Sequence, residues 1–291
     1  MKWLRDFSTL YIPGIELNGE SVSFRHTDLS WDEDYFTIFP LADGELTIKA
    51  YAKEGNVPAT TSYTPTNDIT VYYRSKEGST WNPLQLSLPS LNNSSPGYTT
   101  KTISLIAGTP IELKSSEGLT RIKSGRFGSP TEYTGSIKTD CPAIIMGQLQ
   151  SLVTGGISTP GNVVEWGTYL SGINEIFSNW TTLIDASNLI MPREYSSQSI
   201  VPSYSRLFSG CSSLTSAPMI IKGGNYTECF KNCVSLESIY ANLNPLSETY
   251  TLTDWVEGTN LGNRVIYVPE TLSLDYDLHL ENSWTREVFE F

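Results

Sequence analysis

Between Tyr204 and Asn242 one short pattern is written twice. Tyr-Ser-Arg-Leu-Phe-Ser-Gly-Cys-Ser-Ser-Leu-Thr-Ser-Ala at 204–217 is answered by Tyr-Thr-Glu-Cys-Phe-Lys-Asn-Cys-Val-Ser-Leu-Glu-Ser-Ile at 226–239. Tyr204 and Tyr226, Phe208 and Phe230, Cys211 and Cys233, Leu214 and Leu236, and Ser216 and Ser238 are each 22 residues apart. An earlier unit precedes them, because Phe177, Trp180, Leu183 and Ala186 hold the same mutual spacing as Phe208, Cys211, Leu214 and Ala217. Such a period restricts the chain to a stack of like units, since one unit alone buries too little apolar surface and is stabilised by its neighbours. Phe177, Leu183, Phe208, Cys211, Leu214, Phe230, Cys233 and Leu236 are the expected inward positions.

A period in the low twenties with Phe, Cys and Leu at fixed places predicts a leucine-rich-repeat-like α/β solenoid, each turn a helix, a bend and a short strand. These units resemble those of the BspA-like leucine-rich repeat proteins of Bacteroidetes and their phages, which read Tyr-x-x-x-Phe-x-x-Cys-x-x-Leu. The resemblance extends upstream, where Gly44 to Ala50, Tyr72 to Trp81, Ile106 to Leu113, Tyr133 to Ile137 and Ile144 to Leu149 look like the β module preceding the repeats in that family. It implies a protein of binding and surface display without catalytic residues.

From Asp34 to Val153 short β-branched and aromatic runs alternate with turn signals at Asp43-Gly44, Glu77-Gly78 and Ala107-Gly108, which predicts an antiparallel β-sandwich. Gly155 to Gly161 reads as a seam, and Leu252 to Gly258 and Arg264 to Pro269 look like that family's closing segment, in which a final strand covers the open end of the stack. The expected class is α+β: an attachment segment at 1–33, the β-sandwich at 34–155, the solenoid at 156–269 with its C-terminal cap, and a tail at 270–291. Trp81, beside a hairpin turn, is either a packing residue or a platform for a sugar. The Ser, Thr, Asn and Pro-rich stretches at 58–65 and 87–98 are expected to be rim loops.

A net charge of -12, from 31 acidic against 19 basic residues, argues against a nucleic-acid partner. No run reaches the about 18 uncharged apolar residues of a membrane span, so no membrane insertion is expected. No secretory signal is read between Met1 and Gly14. Cys211 and Cys233 should be neighbours across successive turns, either as stacked buried thiols or as a disulfide. Cys229 and Cys233 offer only a lone Cys-x-x-x-Cys, and with His26 and His279 the only histidines no metal or other cofactor is expected. Asp32-Glu33-Asp34 and Asp275-Tyr-Asp277 lack the spacing of a calcium loop and read as solvated faces. Hydrolase and nucleotide-binding motifs are absent, though a pair of carboxylates suited to glycoside hydrolysis needs no motif.

Trp3, Leu4, Phe7 and Leu10 fall on one helical face before Pro13-Gly14 and are expected either to pack on the protein's own sheet or to make assembly contacts. The expected role is a phage virion component, made in the host cytoplasm, whose partners are other virion proteins and a host surface polysaccharide or protein. A homo-oligomer is expected, a trimer by analogy with phage fibres. The alternative is a bacterial cell-surface adhesin or glycan-binding protein.

Overall fold

The computed structural model describes residues 16–17, 20–21, 35–52, 69–75, 80–87, 98–115, 125–126, 137–149, 151–152, 175–191, 203–220, 223–246, 249–259, 262–272, 276–281 and 283–289. Seventeen strands lie among them: β1 (Glu16–Leu17), β2 (Glu20–Ser21), β3 (Phe36–Pro40), β4 (Gly44–Ala52), β5 (Ile69–Ser75), β6 (Asn82–Leu86), β7 (Tyr98–Leu105), β8 (Ile111–Ser115), β9 (Gly125–Arg126), β10 (Ile137–Thr139), β11 (Ala143–Gln148), β12 (Leu183–Ile190), β13 (Gly224–Asn225), β14 (Ser238–Tyr240), β15 (Tyr250–Thr251), β16 (Arg264–Val268) and β17 (Trp284–Val288). The only helical feature among the described residues is the pair Ser151 and Leu152. The class is therefore almost entirely β, which overturns the α+β expectation and its α/β solenoid.

Two antiparallel sheets come first. In one, β4 pairs with β7, β10 and β9; in the other the order is β11, β3, β8, β5, β6. Alternation aims Leu46, Ile48, Ile103, Leu105 and Ile137 from the first sheet, and Phe36, Ile38, Val71, Leu86, Leu113 and Ile145 from the second, into one core. β3 is buried at all five positions, as an apolar strand covered on both faces should be.

At β11 the second sheet changes from antiparallel to parallel. β12 pairs parallel with β11, Asp185 of β12 bridges Ser216, Ser216 bridges Ser238 of β14, and β14, β16 and β17 follow in parallel register. The ladder is thus continuous from β6 to β17. A second parallel ladder joins Ser203, β13 and β15.

The segments expected to be helices are ribbons of overlapping turns. In the unit at 204–211 the N–H groups of Leu207, Ser209 and Cys211 donate to the carbonyls three residues earlier, Tyr204, Arg206 and Phe208. The intervening N–H groups of Tyr204, Arg206, Phe208 and Gly210 leave the unit and donate to Asn225, Thr227, Cys229 and Lys231 of the next. Every such ribbon places a left-handed residue at two positions four apart: Glu175 and Asn179, Arg206 and Gly210, Glu228 and Asn232, Asp254 and Gly258. The last pair reveals a fourth unit, at 252–259, where the family resemblance implied part of a closing segment.

The physical reason for the correction lies in where the N–H groups point. An α-helix satisfies its interior N–H groups within itself, leaving none to join neighbouring turns, whereas the ribbon spends half of them on its neighbour. The left-handed backbone costs a non-glycine residue about 1–2 kcal/mol, which the inter-turn bonds at Arg206 and Glu228 must offset. Within 204–211 the buried positions are Tyr204, Leu207, Phe208 and Cys211, a spacing that also describes one face of a helix. Periodicity alone therefore cannot separate the two.

An aromatic column fills the centre of the stack. Ring centroids lie 5.5 Å apart for Phe36 and Phe177, 5.4 Å for Phe177 and Phe208, 5.6 Å for Phe208 and Phe230, and 6.2 Å for Phe230 and Trp255. Ile137 of β10 donates its N–H to Ile176 of the first turn, so the antiparallel sheets supply the donors that the stack's leading end requires.

Candidate functional site

Phe177, Leu183, Phe208, Cys211, Leu214, Phe230, Cys233 and Leu236 are all buried in the column and its surroundings. Trp3, Leu4, Phe7 and Leu10 lie outside the described residues, as do the 58–65 loop, the Gly155–Gly161 seam and Asp32 to Asp34. No helix among the described residues is long and apolar enough to cross a membrane.

All four cysteines are free and buried. The Cys211 thiol donates to the Phe177 carbonyl at 3.0 Å and the Cys233 thiol to the Phe208 carbonyl at 3.1 Å, each reaching back to the preceding turn. In the first turn the same position is Trp180, whose indole N–H donates to Thr139 Oγ1 at 3.0 Å. In the fourth it is Thr259, whose hydroxyl donates to the Val256 carbonyl at 2.6 Å. The position calls for a buried donor, which explains Cys better than generic apolarity does. Burial pushes the Cys211 thiol up to about 12 and raises those of Cys229 and Cys233 well above the usual range, so none is a poised nucleophile.

The left-handed Glu175, Arg206 and Glu228, with Lys231 and Glu257 beside them, carry a ridge of charge across the turns. Arg206 pairs with Glu175 at 3.3 Å and with Glu228, and Lys231 pairs with Glu228 at 2.9 Å and with Glu257 of the following unit. Hydrogen bonds from Lys231 and Arg206 hold the Glu228 carboxyl below its ordinary value, against the opposing effect of partial burial. Glu228, Asp254 and Glu257 bring carboxylate oxygens within 4.8 Å of one another, the spacing of a cation site. Lys231 already contacts two of those carboxylates, and the ridge acts as an electrostatic staple between units.

At the trailing end a side chain takes the place of a further turn. Glu281 Oε1 accepts the Gly258 N–H at 2.9 Å, and the Trp255 indole donates to the Leu278 carbonyl at 2.8 Å. Arg264, buried beside it, donates Nη2 to the Val234 carbonyl, while its Nε and Nη1, Glu281 Oε2 and Ser283 Oγ have no hydrogen-bond partner among the described residues. Burial draws the Arg264 guanidinium below its ordinary value, opposed by Glu281 and Glu237.

A different constellation stands on the outer face of the second sheet. Cross-strand register sets Tyr72 opposite Lys114 and Arg74 opposite Glu112, and the alternation that sends Val71 and Leu113 inward sends these four outward. Trp81, just before β6, meets Tyr35 edge to face with centroids 4.9 Å apart and planes at 65°. The Arg74 guanidinium lies 4.5 Å from the Trp81 centroid and 5.3 Å from that of Tyr35. The Lys114 ammonium lies 4.3 Å from Trp81, 5.7 Å from Tyr35 and 5.9 Å from Tyr72. Arg74 Nε reaches the buried Glu112 carboxylate at 2.5 Å. Two cations, three rings and one carboxylate thus share a half-buried surface that can hold an acceptor-rich ligand against aromatic faces.

Of this group the sequence singled out Trp81 alone. The others were readable only as polar members of alternating strands, because their meeting depends on the β5 and β8 register. Comparison with family models, with curated proteins and with solved structures finds no match to this chain.

Proposed function

We propose that this chain is a non-enzymatic structural protein of a phage virion, a fibre, tail or capsid-surface component that presents a binding surface to the host. The observation that carries this reading is the unbroken ladder from β6 to β17 with an aromatic column along its repeats. Each turn lends hydrogen bonds to the next, so the surfaces on the sheet and on the turns are held at fixed separation, as a display scaffold requires. The repeats' resemblance to BspA-like proteins points the same way. Antibody to the purified chain should decorate purified particles in immunogold microscopy, with the chain's peptides recovered from those particles by mass spectrometry. Particles that carry neither signal would overturn the reading.

The cation–aromatic face favours a second reading, a bacterial cell-surface adhesin or glycan-binding protein. A secretory leader encoded upstream of Met1, with label on the bacterial envelope rather than on particles, would select it. In the virion reading the partners are other virion proteins and a host surface polysaccharide or protein; static light scattering of the purified protein tests the expected homo-oligomer.

A further inference from the structure

We infer that the Trp81 face binds an acidic polysaccharide, one whose sugars carry carboxylates, and that Lys114 is the residue that recognises the charge. The inference rests on the reading of the chain as a display protein and names the ligand class of its exposed face.

The first observation is electrostatic. Arg74 and Lys114 contribute +2 and Glu112 contributes -1, leaving this spot at +1 on a chain whose net charge is -12. Arg74 is balanced by Glu112 at 2.5 Å, but Lys114 has no carboxylate or carbonyl in contact among the described residues; its partners there are the rings of Tyr35, Tyr72 and Trp81. Cation–π attraction orients an ammonium without neutralising it, so Lys114 keeps a full charge for an incoming anion. The net negative charge of the chain disfavours non-specific attraction of polyanions, so a local cation beside aromatic faces is where an anionic sugar gains most.

The second observation is the supply of donors and aromatic surface. Neither the Trp81 indole N–H nor the Tyr72 hydroxyl has a hydrogen-bond acceptor among the described residues, and both belong to half-buried rings. A pyranose offers apolar C–H faces to such rings and hydroxyl or carboxylate oxygens to such donors. Nucleic acid would offer the same anionic character, but it calls for a row of phosphate contacts, and among the described residues of this face Lys114 is the one cation without a carboxylate.

The test is calorimetric titration of the full chain with oligogalacturonate, with dextran as the neutral sugar and a single-stranded oligonucleotide as the other polyanion. Saturable binding of oligogalacturonate that weakens as salt is raised, with neither of the others bound, is the expected result. Lys114→Met should weaken it by about tenfold or more, the loss of one charge-assisted contact, while Lys101→Met on β7 should not change it. Equal binding of the oligonucleotide, or no oligogalacturonate binding at millimolar sugar, overturns the inference. Should Lys114→Met not fold, nuclear magnetic resonance of the unaltered protein decides, since oligogalacturonate must shift the Trp81 indole N–H signal. Particles or cells that still attach normally with Lys114→Met would sink this inference and leave the display reading intact.

Discussion

The rings of Phe36, in the antiparallel strand β3, and Phe177, in the first turn of the repeat stack, lie face to face with centroids 5.5 Å apart and planes at 14°. Both are fully buried. They join the antiparallel sheets and the repeat stack into one column, so the stability of either part depends on the other. Phe177→Ala should cost about 3–5 kcal/mol through lost transfer energy and an unfilled cavity. Urea unfolding followed by fluorescence and by circular dichroism should give one coincident transition for the parent protein. Two separated transitions, or a cost below about 1 kcal/mol, would mean that the two parts do not share a core.

Gly210 and Gly258 provide a controlled pair with Gly108. All three are left-handed, with φ of 76°, 76° and 74°, but a Cβ on Gly210 or Gly258 would collide with the Oδ1 of Asn179 or Asn232, whereas one on Gly108 meets open space. Alanine at Gly108 should cost only the left-handed penalty of about 1–2 kcal/mol. Gly210→Ala should cost clearly more, and Asn179→Gly in that background, which removes the side chain without straining this left-handed position, should recover the excess. Equal melting temperatures for Gly108→Ala and Gly210→Ala would refute the collision.

Two carboxyls should give opposite pH signatures. Glu228 is held low by Lys231 and Arg206, so the folded state binds its proton more weakly than the unfolded one. Its contribution is present above the ordinary value of 4.5 and is lost as pH falls through the lower folded value. Asp185, nearly fully buried in β12, is raised mainly by desolvation, against the hydrogen bonds from Ser187 and Ser216. Ionising it therefore costs stability as pH rises from 3.8 toward its folded value. Glu228→Gln should destabilise at neutral pH by up to about 1 kcal/mol, a difference that vanishes in acid. Asp185→Asn should gain relative to the parent as pH rises. Denaturant midpoints at a series of pH values check both signs.

Thiol chemistry offers a further check. Burial raises all four cysteine thiols, with Cys141 also pushed up by the neighbouring Asp140. A thiol-specific reagent should therefore label none in the native protein and all 4 cysteines once the chain is unfolded. Rapid native labelling of Cys211 or Cys233 would show the turns opening locally.

What the sequence by itself determined is the repetition and its inward residues, because stacking imposes the same burial on Tyr204 and Tyr226, Phe208 and Phe230, and Leu214 and Leu236. The β character of the described residues between 35 and 149 was legible for a similar local reason, since alternation at β5 and β8 fixes which side chains face the core. Only tertiary structure decided that the units are turn ribbons, because the choice depends on whether the N–H groups of Arg206 and Gly210 close within the unit or reach Thr227 and Lys231. It also decided the fourth unit, whose Leu252, Val256 and Thr259 break the Tyr-Phe-Cys spelling yet satisfy the same backbone bonds. The gathering of Lys114, Arg74 and Trp81 belongs to the same category. Register between distant strands brings them together, and a local pattern does not contain that information.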